Sequence, residues 1–501
     1  MAVRRFKATK DNTITNAFKE NLTTRGTGSN MGEADILEIF SIYGQASTSS
    51  GELSRVLIEF DIASLSASRD DGNIPESGSV DFYLRMYNAE HSSTTPTNFT
   101  LTIAAISQSW NEGIGLDMEN YSDVDPSGSN WISASYGEKW LDLHGSVQGG
   151  SFHTSSVEGA HTSSQFFETG VEDLEVDVTE HIEEWLNNKT GSYGFGIFLA
   201  SDLEQANASY YTKKFFARDS QFILKRPVIE ARWNSARTDD TSNFYLSSSR
   251  APAADNLNSL YLYNYVRGQL QDIPGLGSDN KIYVSVYSGS DSAPTGAKIT
   301  LPVGGGVVTN NHHNVTGSKI STGVYSASFA YTSSAITEIY PVWHSASIEY
   351  LTASAITVNT FATQTPYPIN SYKVSMPNLR AEYAADDVVN LRVFTQDKNY
   401  QANIFTIAST EVPPSIIEKM YYKISRVVDE EVIVNYGTGS GNASYSQLSY
   451  DASGSYFDFD MSVLEPDFSY EISYLVYEAG NYSELKDRFN FRVIDENDLP
   501  G

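Results

Sequence analysis

The sequence predicts an all-β protein made of three units: a jelly-roll sandwich that keeps one short helix, followed by two further β-sandwiches. Three observations predict this architecture. Short runs alternate apolar and polar residues, and Ser/Gly/Asn/Asp stretches that are typical of loops separate them. The 501-residue chain is also too long for one hydrophobic core. We therefore expect several small sandwiches in series.

The first unit, residues 1–236, carries the clearest strand patterns. In LSRVLIEFDIASL, Val56, Ile58, Phe60 and Ile62 occupy every second position, which predicts a half-buried strand. VDFYLRMYNAEH repeats the pattern, and LTIAAISQSW, YGFGIFLA and RPVIEARW follow. Residues from about 115 to 170 lack it, and we interpret them as a long loop insert.

One segment of this unit, Val178–Ala200, predicts a helix that runs directly into a strand. Ile182, Trp185 and Leu186 make one apolar stripe, and Gly191 ends the helix before the strand begins. A helix of about ten residues is marginal by itself, so packing must hold it. We expect it to cover an open end of the sandwich with its glutamates on a solvated face. A partner-binding helix is the alternative.

The second and third units are predicted at residues 237–364 and 369–501. The first boundary falls in NSARTDDTSN and the second in TQTPYPINSY, where two prolines stiffen an exposed connector. Both units repeat a weak pattern. Gly323-x-Tyr325 and Gly454-x-Tyr456 each begin an alternating run, and a second apolar run follows. The pattern predicts two immunoglobulin-like sandwiches of about 120 residues, the last also resembling fibronectin type III domains.

Composition excludes several classes of function. The net charge of −29 repels nucleic acid and anionic membrane surfaces, so we expect neither as a partner. No apolar run approaches the roughly 20 residues of a membrane span, and the N-terminus shows no secretory signal. The absence of cysteine excludes disulfides and thiolate metal sites.

No catalytic motif stands above background, and we predict that the protein is not an enzyme. His144, His153 and His161 lie in one Ser/Gly-rich stretch and His312-His313 in another, and no HExxH spacing of a zinc site is present. No GxSxG motif is present, and PVGGGVV has no Lys-Ser/Thr to complete a phosphate loop. Carboxylates are abundant, but spacing along the chain cannot show whether two of them flank a cleft.

One stretch has the beginning of a calcium loop, and calcium is the only candidate cofactor. In DMENYSDVDPSGSNW, Asp123 and Asp125 alternate before a Gly bend, which suits the flexible oxygen shell of calcium. Ala134 stands where the bidentate glutamate is expected, and Asp117 or Glu119 are the candidate substitutes. A plain acidic loop is the alternative.

Two tryptophans of the insert, Trp131 and Trp140, are candidates for glycan binding. Flat aromatic faces stack on sugar rings, and these residues stand among Tyr, Asn and Ser. The alternative is that the sandwich uses these aromatic residues to close its core.

Several stretches, taken in order, resemble the DNRLRE-type jelly-roll domain, a carbohydrate-binding-module-like fold of surface and virion proteins. They are ATKDNTITNA, GTGSNMGEADILEI, LSRVLIEFDIASL, SWNEGIG, the helix–strand unit VDVTEHIEEWLNN…YGFGIFLA, and FFARDSQFILKRPVIEARW. The resemblance covers about the first 235 residues and brings no catalytic residues. The insert departs from the domain pattern.

The whole chain is similar to structural proteins of marine contractile-tailed bacteriophages, in which such a module precedes immunoglobulin-like domains. The resemblance implies a virion protein, an elongated multi-copy or homo-oligomeric arm on the tail, baseplate, neck or capsid that contacts other virion proteins. A host-surface glycan-binding adhesin is the alternative, and a glycan depolymerase is a third reading.

Overall fold

Strands dominate the protein, as predicted. The structure is a computed structural model and describes residues 2–44, 51–90, 95–116, 120–142, 144–153, 161–187, 191–276, 281–289, 295–304, 306–307, 312–345, 348–360, 372–398, 414–439, 444–478 and 480–495. The connector predicted around the two prolines lies outside these residues.

The N-terminal unit is a sandwich of ten long strands with several short ones. Its strands are β1 (Val3–Thr15), β2 (Ile36–Ile42), β3 (Glu52–Phe60), β4 (Asp81–Met86), β5 (Phe99–Ala105), β6 (Ser133–Ser135), β7 (Glu138–Lys139), β8 (Leu141–Asp142), β9 (Gly145–Ser146), β10 (Thr162–Phe167), β11 (Leu174–Asp177), β12 (Phe195–Leu199), β13 (Tyr210–Phe216) and β14 (Val228–Arg232). Its helices are α1 (Ile62–Asp70), α2 (Thr179–Leu186) and α3 (Ser201–Glu204).

Strand β1 joins the two layers of this unit. Its first part, Val3–Lys7, pairs with β14, and after an irregularity near Ala8 its second part pairs with β3. The strand order is β10-β5-β12-β3-β1-β14-β4-β11, with β2 joined to β3 and to β13. The two layers enclose one large core.

The helix content differs from the prediction of one short helix. Strand β3 ends at Phe60, and the Asp61 carboxylate accepts the N–H groups of Ala63 and Ser64, which starts α1 at Ile62. The strand therefore ends two residues before Ile62, which belongs to the helix. A third helix, α3, is a single turn.

Helix α2 lies in the predicted segment and covers the core, but it ends at Leu186, before the predicted end at Gly191. Ile182 and Trp185 are buried, and the Trp185 ring packs on Phe195 with 4.7 Å between centroids. The prediction of a solvated glutamate face is wrong for two positions. Glu183 pairs with Arg69 at 2.5 Å, and Glu184 lies 3.2 Å from His161, because α1 and residue 161 pack against that side of the helix.

The segment predicted as a loop insert has its own small core. Strands β6 to β9 form two hairpins there, and β10 is an edge strand of the main sheet. Trp110, Trp131 and Trp140 pack with Ile14 and Leu57 on the outer side of that sheet. Large aromatic residues among short polar stretches thus ordered a segment that has no long periodic strand.

The middle unit is an antiparallel eight-stranded network around its own core. Its strands are β15 (Leu257–Tyr263), β16 (Tyr265–Val266), β17 (Gln269–Leu270), β18 (Lys281–Gly289), β19 (Thr295–Lys298), β20 (Asn314–Ser321), β21 (Val324–Ala330), β22 (Glu338–Ser345), β23 (Ile348–Thr352) and β24 (Ile356–Thr357). Strands β16 and β17 form a separate hairpin.

The C-terminal unit is a sandwich of a four-stranded and a six-stranded sheet. Its strands are β25 (Tyr372–Ser375), β26 (Glu382–Ala384), β27 (Val388–Asp397), β28 (Met420–Arg426), β29 (Val432–Val434), β30 (Ser449–Asp451), β31 (Gly454–Asp460), β32 (Ser469–Glu478), β33 (Asn481–Glu484) and β34 (Phe489–Ile494). Gly323 and Gly454 both have positive φ and turn the chain into β21 and β31, so the repeated pattern marks equivalent hairpins.

The three units do not simply follow one another in a line, as an elongated arm would require. Ala2, Val3 and Leu224 of the N-terminal unit belong to the hydrophobic core of the C-terminal unit. The first and third units therefore pack directly on each other. Apolar residues at the start of β1 and beside β14 make this contact, and neither stretch has a sequence pattern that separates it from an ordinary strand end.

Candidate functional site

The tryptophans proposed for glycan stacking are buried, which contradicts that role. Trp131 is 5% exposed and Trp140 is 0% exposed. The Trp140 Nε1 group donates to the Asn130 carbonyl oxygen at 2.8 Å, and the Arg55 guanidinium covers Trp131. Neither ring presents a face to a sugar. The alternative interpretation, aromatic residues that close a core, describes both residues.

The calcium candidates instead organise a loop through hydrogen bonds. The Asp125 carboxylate accepts the Ile114 N–H at 3.1 Å and the Ser127 N–H at 2.8 Å, and Asp123 accepts the Leu116 N–H at 3.3 Å. The Ser127 hydroxyl and these N–H groups lower the pKa of Asp125. Asp117 lies outside the described residues, and within those residues no three acidic or histidine groups are arranged to hold a metal ion.

Four of the stretches that carry the family resemblance meet at one place in the structure. We call this place the motif cluster: Asp11, Asn12, Asn30, Glu112, Ser129 and Arg218. Asn12 donates to Ser129, and Asn30 donates to the carbonyl oxygens of Glu112 at 2.6 Å and Ser129 at 2.8 Å. The Asn30 side-chain oxygen accepts the Gly115 N–H at 2.8 Å. The cluster ties β1 to the loops around it.

Charged groups complete the motif cluster. The Arg218 guanidinium binds Glu112 through two contacts of 3.0 and 3.1 Å, and the Arg218 N–H donates to Asp11 at 2.5 Å. Burial raises the pKa of Asp11 to about 7, and it also raises the pKa of Glu112. The second Asp11 oxygen has no hydrogen-bond partner within the described residues. Asp11 is therefore mainly protonated in the folded protein below about pH 7.

Asp11 should make stability depend on pH in a direction opposite to that of an ion-paired acid. The folded state keeps the proton up to about pH 7, whereas the unfolded chain releases it near 3.8, so stability should fall as pH rises between these values. Asp11→Asn should remove about 2 kcal/mol of this dependence between pH 5 and 7. Melting temperatures of both proteins across this range test it, with exposed Asp71→Asn as the control. Parallel curves for wild type and Asp11→Asn would contradict the prediction.

Glycines let the loops approach Asn30 closely. A Cβ atom on Gly115 would overlap the Asn30 carbonyl oxygen, and one on Gly32 would overlap backbone atoms of Glu112 and Gly113. Gly28, a few residues away in sequence, has open space at the same position. The packing of the motif cluster therefore requires glycine at positions 32 and 115, because any side chain there would overlap neighbouring atoms.

Gly115→Ala is expected to lower the free energy of unfolding by about 3 kcal/mol, because the backbone must move and hydrogen bonds to Asn30 must lengthen. Gly28→Ala, which meets no atom, should change it by less than about 0.5 kcal/mol. Urea denaturation of the two variants makes the comparison. Equal effects would mean that Gly115 is not tightly packed in solution.

The contact between the first and third units is built on a buried charge cluster, the first seam: Arg5, Arg85, Glu230 and Arg232 with Ile433 and Tyr445. Arg5 Nε donates to Glu230 at 2.7 Å, and its Nη2 donates to the Ile433 carbonyl oxygen at 2.6 Å. Arg232 also binds Glu230 at 2.7 Å. The Arg232 guanidinium lies 5.1 Å from the centre of the Tyr445 ring. Both Ile433 and Tyr445 belong to the C-terminal unit.

Glu230 is the central anion of the first seam. Burial opposes its ionisation, but the guanidinium groups of Arg5, Arg85 and Arg232 outweigh burial and hold the pKa of Glu230 below its usual range. Glu230 is thus a buried carboxylate shared by three guanidinium groups at the contact between two units, and the partly exposed Glu175 also pairs with Arg85 and Arg232. The arrangement fixes the direction in which the units meet, because the guanidinium groups donate in fixed directions.

The chain between the first two units is also fixed to the third, at the second seam: residues 237–240 with Ser449 and Tyr450. The Tyr450 N–H donates to the Arg237 carbonyl oxygen at 3.0 Å, and the Asp239 N–H donates to the Tyr450 carbonyl oxygen at 3.2 Å. Thr238 and Tyr450 form a parallel β-bridge. The chain at the first predicted boundary is therefore bridged to β30 through its backbone groups.

A buried acid lies at the second seam. The Tyr450 hydroxyl donates to Asp240 at 2.6 Å, and the Ser259 N–H donates to the other carboxylate oxygen at 2.7 Å. Burial raises the pKa of Asp240 to about 6. Arg237 also reaches Ser321 of the middle unit at 3.2 Å, so all three units meet within a few residues.

The sequence analysis did not predict either seam, although one strand contains a weak indication of the first seam. Glu230 and Arg232 alternate with apolar residues in RPVIEARW, which is typical of a strand with a solvated face. That face is instead buried, and charged residues alone do not distinguish a solvated face from a buried one.

The described part of the chain contains no helix with the length and apolar character needed to cross a membrane.

Neither the protein-family models nor the curated proteins match the chain. Among solved structures, the Ig1-2 module of Drosophila receptor protein tyrosine phosphatase DLAR is similar at 8% identity, with 48% of this chain and 90% of that chain covered and a TM-score of 0.14. The marsupial T cell receptor follows at 10% identity, with 48% and 68% covered and a TM-score of 0.16. These are immunoglobulin modules, but at such TM-scores the likeness carries no argument about function.

Proposed function

We propose that the protein is a non-enzymatic structural component of a tailed-phage virion, on the tail, baseplate, neck or capsid, and that it acts through assembly contacts. The observation that carries the proposal is the pair of seams. They join three sandwiches through buried ionic and backbone contacts, where flexible linkers would otherwise leave the units free to move. A part with a fixed internal geometry can hold its docking surfaces at fixed positions on a particle.

The physical properties of the seams support this role. The first seam contains a buried, multiply hydrogen-bonded ion cluster, which loses more on separation than an exposed ion pair does. The second seam adds main-chain pairing between the linker and β30. The net charge of −29 limits unspecific association between copies, so docking on neighbours must use dedicated surfaces. The family resemblance of the N-terminal unit is the reason for choosing a virion.

A host-surface adhesin is not favoured by a specific observation. Its proposed glycan-stacking residues, Trp131 and Trp140, are buried. Its proposed calcium residues Asp123 and Asp125 hold a loop together by hydrogen bonds. A structural part in several copies, in contact with other virion proteins, remains the proposal.

Mass spectrometry and immunogold labelling of salt-washed particles test the proposal. We expect the protein in purified particles of the phage that encodes it, at a repeated position. Particles made without it should be defective in assembly, and wild-type protein supplied in trans should restore them. Absence from washed particles, or normal particles without it, would overturn the proposal.

A variant pair connects the result to the first seam. Arg5→Gln removes the contacts of Arg5 with Glu230 and Ile433, and it should restore assembly less well than wild type. Lys7→Gln makes the same charge change at an exposed position of the same strand and should restore it fully. Equal restoration by both variants would show that assembly does not depend on the seam.

A further inference from the structure

A wide groove lies on the outer face of β2, away from the core of the N-terminal unit. It has a volume of about 850 Å³, and its lining includes Ile36, Glu38, Leu116, Tyr121, Tyr211 and Lys214. The groove is separate from both seams and from the motif cluster. Its size exceeds what a single ion needs, and it opens to solvent.

The floor of the groove is unusually apolar for the outer face of a strand. In the β2 sequence ILEIFSI, Leu37 and Ile39 point into the core, so Ile36 and Ile42 belong to the opposite face. Phe40 shares that face and is covered by the Tyr211 ring at a centroid distance of 5.7 Å. A strand that faces solvent usually carries polar residues there. Phe40 is buried within the chain, whereas Ile36 and Ile42 leave partly exposed apolar surface on this outer face.

The walls add exposed apolar surface. Leu116 is 58% exposed and Tyr211 is 48% exposed. The Leu116 N–H donates to the Asp123 carboxylate at 3.3 Å, which holds the backbone of Leu116 at this wall. Large apolar residues held in place at a groove, instead of scattered over the surface, are typical of a binding surface.

The charge of the groove selects its occupant. Four carboxylates line it, those of Glu33, Asp35, Glu38 and Glu52, against one cation. That cation, Lys214, is already paired with Glu38 at 2.5 Å. Within the described residues, the side chains of Glu33 and Asp35 have neither a hydrogen bond nor an ion pair. The groove therefore keeps an unbalanced negative charge beside apolar surface.

We propose that this groove binds an extended, lysine- or arginine-bearing segment of a partner protein. The aliphatic part of a basic side chain would lie against Leu116 and Tyr211, and its charged end would pair with Glu33 or Asp35. A cation also gains from the face of an exposed tyrosine ring. Binding of such a segment does not require that the protein be part of a particle, so the two proposals can fail separately.

Charge distinguishes a basic segment from a neutral sugar as the occupant. A neutral oligosaccharide would use the Tyr211 face and would bind almost independently of salt. A basic segment depends on the carboxylates, and its affinity falls as salt rises.

The experiment uses the full chain and a blocked synthetic peptide, acetyl-Gly-Lys-Leu-Lys-Gly-amide carrying a fluorophore, with binding followed by fluorescence anisotropy. Wild type should bind, and a peptide with glutamine in place of both lysines should not. Glu33→Gln/Asp35→Asn should weaken binding about tenfold. Tyr211→Ser should also weaken it, because it removes the apolar wall.

A matched control corrects for the charge of the whole protein. Asp71→Asn/Glu76→Gln removes the same two charges at exposed positions outside the groove and should change affinity by less than about twofold. The proposal is overturned if wild type does not bind, or if the control loses as much affinity as the groove variant. It is also overturned if a neutral oligosaccharide displaces the peptide and loses affinity with Tyr211→Ser but not with the carboxylate variant.

Discussion

Glu230→Gln is expected to destabilise the N-terminal unit and its contact with the C-terminal unit by about 3–5 kcal/mol. The variant keeps the shape of the side chain and removes its charge. Arg5, Arg85 and Arg232 would then be left together, largely buried, without their central anion. Because like charges in a region of low dielectric repel strongly, the units should separate more readily.

The stability of the wild-type protein should also depend on pH through the ionisation of Glu230. The pKa of Glu230 in the folded protein lies below its ordinary value of 4.5. The stability that it contributes is therefore present above pH 4.5 and is lost as pH falls below this value. Glu230→Gln should lack this acid-induced loss, while retaining the opposite dependence that Asp11 causes at higher pH.

Hydrogen–deuterium exchange of β14 and β29 amides measures the effect of Glu230→Gln without assuming two-state unfolding of a three-unit chain. Both strands should exchange faster in the variant. Glu175→Gln, which changes a 39% exposed carboxylate of the same network, should cost about 1 kcal/mol or less. If both variants increase the exchange rates of β14 and β29 equally, Glu230 does not stabilise the contact more than Glu175 does.

Trp140→Ala is expected to cost about 3–5 kcal/mol and to unfold the small core of hairpins β6–β9. The ring is fully buried with Trp110 and Trp131, and truncation also removes the hydrogen bond to Asn130. Little else orders this region, since its strands have only two or three residues each. Loss of the near-ultraviolet circular dichroism signal, with faster exchange in these hairpins, would be the readout.

Tyr136→Ala provides the control for Trp140→Ala. Tyr136 lies in the β6–β7 turn and is 76% exposed, so its truncation should change stability by less than about 0.5 kcal/mol. A glycan-stacking role for Trp140 makes the opposite prediction, namely unchanged stability with lost sugar binding. An intact fold in Trp140→Ala would therefore contradict the buried position of this residue.

Much of the fold could be predicted because strand periodicity is local. Val56 and Ile58 alternate along β3 as predicted, and Trp185 packs its helix on the core. The prediction failed where a local pattern fits both a strand and the start of a helix. Ile62 continued the alternation in sequence, but the Asp61 cap turned the chain into α1.

The candidate site could be predicted only in part, because burial depends on distant residues. Trp131 and Trp140 were found in the sequence as candidate residues, but their faces are covered by Arg55 and by the hairpins of the insert. The motif cluster combines residues from positions 11, 30, 112 and 218, each of which reads as an ordinary loop or strand-end residue. Residues of four quoted stretches lie far apart in sequence, and only folding brought them to one place.

Alternation of apolar residues, turn glycines and the excess of acidic residues by themselves determined an all-β chain with a strongly negative surface, because each depends on neighbours in sequence. Only the tertiary structure decided which charged residues became buried partners, which aromatic rings lost their exposed faces, and that the first and third units meet. Those outcomes depend on contacts between residues up to several hundred positions apart, such as Arg5 with Ile433. A strand with charged residues on one face looks the same in sequence whether that face meets water or another unit.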